Sequence, residues 1–196
     1  MQAEGASQVV LITGGARSGK SSFAQRLAEE WAGQVVYCAT ARVTDEEMRS
    51  RVEAHRKARP AKWLTVEKPT LSAQDLGLLD SPDKLIIVDC LATLTSNLLL
   101  AETGIDGELL PPDVIGSNLA ERAAARVLEP MESFLDKAAT VSAKTVVVTN
   151  EVGWGLVPYN PLGRLFRDIL GRVNQMAAAR AHEVYLLVAG ISMRIK

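Results

Sequence analysis

One stretch of the sequence decides the fold, and it reads Val9-Val10-Leu11-Ile12-Thr13-Gly14-Gly15-Ala16-Arg17-Ser18-Gly19-Lys20-Ser21. Its apolar start predicts a buried strand, and the residues that follow match the pattern G-x-x-x-x-G-K-S. Glycines let a backbone close around phosphate oxygens, and the helix that follows adds its free N–H groups and its positive dipole end. Lys20 can reach the β- and γ-phosphates, and the Ser21 hydroxyl can bind Mg²⁺. The stretch therefore predicts a nucleoside triphosphate site.

The composition is that of an ordinary globular protein. The chain has 196 residues, of which 47% are hydrophobic and 23% are charged, and its formal net charge is −1. This balance gives no electrostatic support for binding nucleic acid or an anionic membrane surface. We expect residues 1–196 to form one nucleotide-binding catalytic domain, with residues 1–7 as a flexible leader.

Two further features predict a cytoplasmic protein without a membrane span. The opening residues are polar and lack the apolar core of a secretory signal. The longest apolar stretch, residues 85–101, contains Asp89 and Asn97, which favours a strand followed by a helix over a bilayer span. Cys38 and Cys90 lie in or just after strand-like runs, so we expect buried thiols rather than a disulfide.

Strand-length apolar runs alternate with helical patterns along the chain. Strands are predicted at 9–13, 35–39, 63–66, 85–89, 144–149, 184–189 and 193–195, and helices at 20–31, from 44 or 45 to 59, 93–101, 119–139 and 162–182. This alternation predicts a P-loop NTPase of the α/β class, with a mainly parallel sheet and helices on both faces. The carboxyl ends of such strands form one ligand-binding mouth. The residues predicted there are Thr13, Thr40, Asp89, Thr149 and Asn150.

Asp89 ends the apolar run 85–88 in the manner of a Walker B strand. In P-loop proteins a carboxylate at this place holds Mg²⁺ directly or through water. Many buried strands also end in an aspartate that only caps the strand. With a phosphate loop present, we favour the metal role and predict Ser21 and Asp89 as metal ligands.

A basic segment surrounds the first of the two histidines. His55 is flanked by Arg51, Arg56, Lys57 and Arg59 at the end of a predicted helix that Pro60 terminates. Such a segment is either a solvated helix face or a phosphate-facing cluster with a nucleophilic or acid–base histidine. Neighbouring cations favour the neutral imidazole, which can attack phosphorus. The second histidine, His182, we interpret as a dipole partner at the end of the last long helix.

The loop 150–155 follows a strand at the predicted mouth and contains Glu151, Gly153 and Trp154. A glycine-containing loop with an acid and an indole suits a substrate wall or a moving lid. A turn with a core tryptophan fits the same pattern equally well.

These motifs together resemble the bifunctional adenosylcobinamide kinase/adenosylcobinamide-phosphate guanylyltransferase family. The likeness covers nearly the whole chain after about the first seven residues. It rests on the phosphate loop 14–21, Ala39-Thr40, the blocks 46–60, 63–67 and 149–153, Asp89-Cys90, Phe166-Arg167-Asp168 and 171–175. The phosphate loop is common to many families, whereas Thr-Asn-Glu-Val-Gly and His-x-x-x-Arg-Pro in this order are far more specific.

The resemblance implies two reactions in cobalamin biosynthesis. A nucleoside triphosphate, ATP or GTP, phosphorylates the hydroxyl of adenosylcobinamide with Mg²⁺, and GTP then donates GMP through a guanylylated histidine. The products of the second reaction are adenosylcobinamide-GDP and pyrophosphate. The catalytic residues implied are His55 and Lys20. The implied nucleotide contacts are Gly14, Gly15, Ala16, Arg17, Ser18, Gly19, Lys20, Ser21, Ala39, Thr40, Ala41, Arg56, Lys57, Ala58, Arg59, Glu67 and Asp89. The family also implies a RecA-like sheet and a homotrimer.

Two other functions remain compatible with a phosphate loop. One is a P-loop kinase of another small metabolite with no covalent intermediate, in which His55 only contacts substrate. The other is a nucleotide-switched ATPase acting on DNA or a partner protein, which the net charge disfavours. The proton acceptor for the kinase step stays open among Glu67, Asp89 and Glu151.

Overall fold

The structure is a computed structural model that describes residues 8–43, 45–57, 59–104 and 117–196, with the backbone alone at 47, 51, 55 and 117. The predicted leader, Thr44, Ala58 and most of the connection predicted at 104–113 lie outside the described residues. All described strands belong to one sheet of order β3-β2-β4-β5-β1-β6-β7. Every neighbouring pair is parallel except β6 and β7. The strands are β1 Val9–Gly14, β2 Gln34–Ala39, β3 Leu64–Glu67, β4 Lys84–Asp89, β5 Lys144–Val148, β6 Glu183–Val188 and β7 Ile191–Arg194.

Six α-helices occupy the connections within the described residues. They are α1 Lys20–Glu29, α2 Glu46–Lys57, α3 Ala73–Leu79, α4 Leu91–Thr103, α5 Ser117–Ala138 and α6 Pro161–Arg180. Five lie where the sequence patterns predict them. The short helix α3 was not predicted, and its N-terminus is a capping box in which Ser72 and Asp75 bond each other's backbone N–H groups.

Helices cover both faces of the sheet, as predicted, because strand side chains alternate between two cores. Leu11 and Ile86 belong to a core completed by residues of α3, α4, α5 and α6. Their neighbours Ile12 and Ile87 belong to a second core that includes Ala24 and other residues of α1. The continuous burial of β1 and β4 thus follows from having helices on either side.

The strand order fixes which residues meet at the carboxyl edge of the sheet. β5 lies between β1 and β4, and β2 pairs with β4 in a register that places Ala39 opposite Asp89. Adjacent strands are about 4.8 Å apart, so the ends of β1 and β4 are about 10 Å apart. Both cysteines are buried and unbridged, as predicted. Among the described helices, none combines the length and apolar character that a membrane crossing requires.

His182 has a different place from the one expected. It lies two residues beyond α6, and its Nδ1 accepts the backbone N–H of Val9 at 3.1 Å. Its own backbone N–H donates to the Val9 carbonyl at 2.8 Å. The side chain therefore fixes the start of β1 at the amino edge of the sheet. The prediction of a partner for the helix dipole was wrong, because the chain turns into β6 directly after α6.

Candidate active site

The phosphate loop joins β1 to α1 through unusual backbone angles. Gly14 has φ +148° and Gly19 has φ +95°, in the region that favours glycine, and Arg17 lies at φ 55°. A Cβ at Gly14 would lie 2.3 Å from the carbonyl oxygen of Leu187 on β6, so a side chain cannot be accommodated. Gly19 caps α1 without a side-chain hydrogen bond, which leaves the first N–H groups of the helix to an anion.

Lys20 lies inside this loop and is 7% exposed. Its ammonium donates to the carbonyl of Gly15 and, at 3.4 Å, to Oγ of Ser18. Burial lowers the pKa of Lys20, and electrostatic interactions with Cys90 and Asp89 oppose that effect. A phosphate bound beside the ammonium would act in the same sense as Asp89 and favour the charged form.

Asp89 ends β4 and receives a hydrogen bond that sequence reasoning missed. The phenol of Tyr37, a buried residue of β2, donates to Oδ2 of Asp89. The guanidinium of Arg59 lies over the Tyr37 ring at 3.7 Å from its centroid. Burial first, and then Asp89, raise the pKa of Tyr37, which keeps the phenol a proton donor, while Arg59 opposes the shift. Tyr37 thus joins the carboxylate to the segment that follows α2.

Thr40 is a predicted nucleotide contact whose side chain is occupied elsewhere. Its hydroxyl donates to the Cys90 carbonyl at 2.9 Å and accepts from the Cys90 N–H at 2.8 Å, and the residue is fully buried. Asn97 of α4 donates to the Thr40 carbonyl at 2.8 Å. Thr40 therefore ties the ends of β2 and β4 together. Beside it, Ala39 is nearly buried and Ala41 is half-buried.

Glu151 lies beside the phosphate loop and is held by one side chain of β1 and one of α6. Its Oε1 accepts from Oγ1 of Thr13 at 2.7 Å and from Nδ2 of Asn174 at 3.2 Å. Asn174 is a buried residue of α6 that accepts from the Thr149 hydroxyl at 2.7 Å. The sequence predicts Thr13 and Thr149 at the mouth and includes Asn174 in a family block, but it does not show the contacts that join them to Glu151.

The basic end of α2 also lies at the carboxyl edge. Arg56 and Glu67, the last residue of β3, form an ion pair of 3.7 Å between largely exposed side chains. Lys57 is exposed, and the backbone of His55 lies in the last turn of the helix. The described contacts bring Arg56, Arg59, Glu67 and Asp89 to one edge. They include no hydrogen bond or ion pair between this group and Lys20, although Asp89 acts on Lys20 electrostatically.

The loop after Glu151 forms a 3₁₀ turn, Val152–Trp154, with the indole turned outward. Trp154 is 67% exposed, so the interpretation of the loop 150–155 as a turn with a core tryptophan was wrong. Arg167 of α6 donates to the Gly153 carbonyl at 2.7 Å, and Arg164 donates to the Tyr159 carbonyl at 2.5 Å. The segment therefore lies at the surface beside the mouth, and hydrogen bonds from α6 hold its backbone.

The predicted metal ligands have the right chemistry for Mg²⁺. Ser21 begins α1 with a half-buried hydroxyl, and Asp89 ends β4 with Oδ1 free of the bond that Tyr37 makes to Oδ2. Mg²⁺ prefers such hard oxygen donors and takes its other ligands from phosphates and water. The described part of the chain contains no group of three or more His, Cys, Asp or Glu side chains placed to hold a metal.

Comparison with known proteins assigns the chain to a family. The family model for cobinamide kinase/cobinamide phosphate guanyltransferase matches residues 10–195. The chain is 43% identical to the bifunctional adenosylcobalamin biosynthesis protein CobU of Salmonella typhimurium and 41% identical to that of Escherichia coli, over 96% of this chain and 99% of each relative. It is 36% identical to CobP of Pseudomonas aeruginosa over 95% of this chain and 96% of that one.

The fold has its own likeness among solved structures. The protein of Project ID PH0250 from Pyrococcus horikoshii OT3 superposes with a TM-score of 0.50 at 9% identity, over 97% of this chain and 87% of that one. This likeness concerns the fold alone. The sequence matches decide the family, and the chain belongs to the cobinamide kinase/cobinamide phosphate guanyltransferase family.

Proposed function

We propose that this protein is a bifunctional enzyme of adenosylcobalamin biosynthesis. It phosphorylates adenosylcobinamide with a nucleoside triphosphate and then transfers GMP from GTP to adenosylcobinamide phosphate. The observation that supports the proposal is that the glycine-rich loop around Lys20 and the basic end of α2 lie at one edge of the sheet, and we assign phosphate binding to both regions. Membership of the family supports both activities.

The kinase step uses the loop 14–21 to neutralise and position the triphosphate. Its N–H groups and the start of α1 face the β- and γ-phosphates, and Lys20 adds a cation that burial keeps free of water. Ser21 and Asp89 would hold Mg²⁺, which supplies further neutralisation of charge on the phosphates when bound. Tyr37 fixes one oxygen of Asp89 and so orients the other.

The guanylyl transfer proceeds by two displacements through His55. A ring nitrogen forms a bond to the α-phosphorus of GTP as the bond to the pyrophosphate oxygen breaks, and pyrophosphate leaves. A phosphate oxygen of adenosylcobinamide phosphate then attacks the same phosphorus, and the P–N bond breaks. Arg56 and Arg59, on the segment that carries His55, offer guanidinium groups for the α-phosphate or the departing pyrophosphate. Glu67 forms an exposed ion pair with Arg56.

Finer points belong to the same proposal. ATP or GTP serves the kinase step, GTP serves the second step, and both act with Mg²⁺. The enzyme works in the cytoplasm, where these nucleotides are made. It assembles as a homotrimer, and the apolar side chains exposed on the edge strand β7, Ile191 and Met193, support contact between copies.

Product analysis tests the two-reaction proposal. The purified protein is incubated with adenosylcobinamide, Mg²⁺ and ATP, and then with GTP, and the corrinoid products are separated and weighed by mass spectrometry. We expect adenosylcobinamide phosphate in the first incubation and adenosylcobinamide-GDP with equimolar pyrophosphate in the second. Phosphorylation without any GDP product would favour a simple kinase, and no corrinoid product at all would contradict the proposal.

A further inference from the structure

We propose that Glu151 is the general base that accepts the proton of the substrate hydroxyl in the kinase step. This inference rests on the proposed kinase activity and assigns a role that the two phosphate-binding regions do not fill. Lys20 and the loop N–H groups are donors, so none of them can accept the proton. Glu151 is the carboxylate whose position and hydrogen bonds fit that task.

The strand order places Glu151 beside the phosphate loop. β5 lies between β1, which leads into the phosphate loop, and β4, which ends at Asp89. Glu151 follows β5 by three residues, and its backbone N–H donates to the carbonyl of Gly14 at 3.0 Å. Glu151 therefore lies beside the phosphate loop, just beyond the end of the strand that separates β1 from β4, and we place the attacking hydroxyl there.

The hydrogen bonds of Glu151 hold one carboxylate oxygen and leave the other open to accept a proton. Both bonds to its carboxylate, from Thr13 and Asn174, reach Oε1. Among the described residues no donor reaches Oε2, which leaves one oxygen to a ligand. Asn174 is itself fixed, because it accepts from the Thr149 hydroxyl and donates to the Asn150 carbonyl at 3.0 Å. A carboxylate held on one side and open on the other is suited to accept a proton in a defined direction.

The two other candidate bases are less well placed. Glu67 ends β3, four strands from β1, which is about 19 Å at the usual strand spacing. It is also paired with Arg56. Asp89 is closer, but Tyr37 donates to one of its oxygens and the other suits a metal ion. Glu151 combines proximity to Gly14 with a free oxygen.

The step balances in atoms and charge. The substrate hydroxyl oxygen forms a bond to the γ-phosphorus as the bond between that phosphorus and the β–γ bridging oxygen breaks. Oε2 of Glu151 takes the hydroxyl proton, and the nucleoside diphosphate leaves with the bridging oxygen. The proton passes from Glu151 to water before the next turnover.

The test compares Glu151→Gln with Glu183→Gln. Both replace a half-buried carboxylate that accepts from a hydroxyl, but Glu183 pairs with Tyr185 at the amino edge of the sheet. Two rates are measured for each variant: phosphorylation of adenosylcobinamide by ATP, and GMP transfer to adenosylcobinamide phosphate supplied ready-made. We expect E151Q to lower kcat of phosphorylation at least about 100-fold with little change in KM, and to lower GMP transfer far less. E183Q should lower neither.

Two results would overturn the assignment. One is E151Q phosphorylation within about tenfold of the unaltered protein. The other is an equal fall in both reactions, which would make Glu151 a support of the phosphate loop rather than a base. Failure of the unaltered protein to phosphorylate adenosylcobinamide would instead contradict the proposed function itself, so the two failures are distinguishable.

Discussion

The phosphate loop and the end of α2 lie at the same edge of the sheet, but the protein holds them in different ways. The loop is built from backbone: Gly14 approaches β6, the Glu151 N–H donates to Gly14, and Lys20 is buried within the turn. The end of α2 is held by side chains, through the Arg56–Glu67 pair and the stacking of Arg59 on Tyr37.

The difference matches the role that we propose for each region. A site that neutralises phosphate charge gains most from donors fixed before the ligand arrives. A nucleophile that receives GMP and then passes it to a second substrate must meet two partners. Exposed ion pairs contribute little to stability, so the contacts of Arg56 add little rigidity to the helix end. Changes in the loop should therefore affect both reactions, and changes at α2 mainly the second.

The largest effect is expected from Lys20→Ala. Removing a buried cation from the phosphate loop should lower kcat/KM of both phosphorylation and GMP transfer by about 10²–10³-fold. Lys144→Ala is the matched control, because Lys144 begins β5 at the opposite edge and is half-buried. Steady-state rates for the two reactions check the prediction. Loss of one reaction with the other intact would show that the loop does not serve both.

A smaller effect is expected from Tyr37→Phe, which alters the link between the two regions. The ring that Arg59 covers stays, and only the hydrogen bond to Asp89 is lost. We expect the Mg²⁺ concentration needed for half-maximal binding of a non-hydrolysable GTP analogue to rise by roughly tenfold. Tyr185→Phe removes a similar bond, to Glu183, and should leave the Mg²⁺ requirement unchanged. If the two variants needed the same Mg²⁺ concentration, Tyr37 would have no role in metal binding.

The smallest effect is expected from Arg56→Ala at the α2 end. Its side chain is 68% exposed, so the free energy of unfolding in urea should change by less than about 1 kcal/mol. GMP transfer should slow by about fivefold, as for the loss of about 1 kcal/mol of hydrogen bonding to phosphate, with phosphorylation unchanged. Arg49→Ala, which breaks an exposed pair with Glu46 in the first turn of the same helix, is the control. If GMP transfer slowed equally in Arg56→Ala and Arg49→Ala, the result would argue against a contact between Arg56 and phosphate.

The phosphate loop could be predicted in full from the sequence, because that motif works through local backbone geometry. Glycines at 14 and 19 and the apolar run before them specify the turn without reference to distant residues. The same holds for the ends of β2, β4 and β5, whose apolar runs stop at the mouth. These predictions depend on spacing along the chain alone.

Contacts between strands could not be predicted in this way. Tyr37 looks like a core residue of β2, and only the pairing of β2 with β4 brings its hydroxyl to Asp89. The position of β5 between β1 and β4 likewise decides that Glu151, rather than Glu67, is near the phosphate loop. Helix α3 was missed because seven residues give too little periodicity, although Ser72 and Asp75 carry a capping signal.

The site of covalent labelling tests the central claim most directly. The protein is incubated with α-labelled GTP and Mg²⁺, digested, and the labelled peptide is sequenced by mass spectrometry. We predict an acid-labile, alkali-stable GMP adduct on His55, its loss in His55→Ala, and its retention in His182→Ala, where the other histidine supports β1. Absence of label on folded, nucleotide-binding protein, or label that survives His55→Ala, would contradict the account.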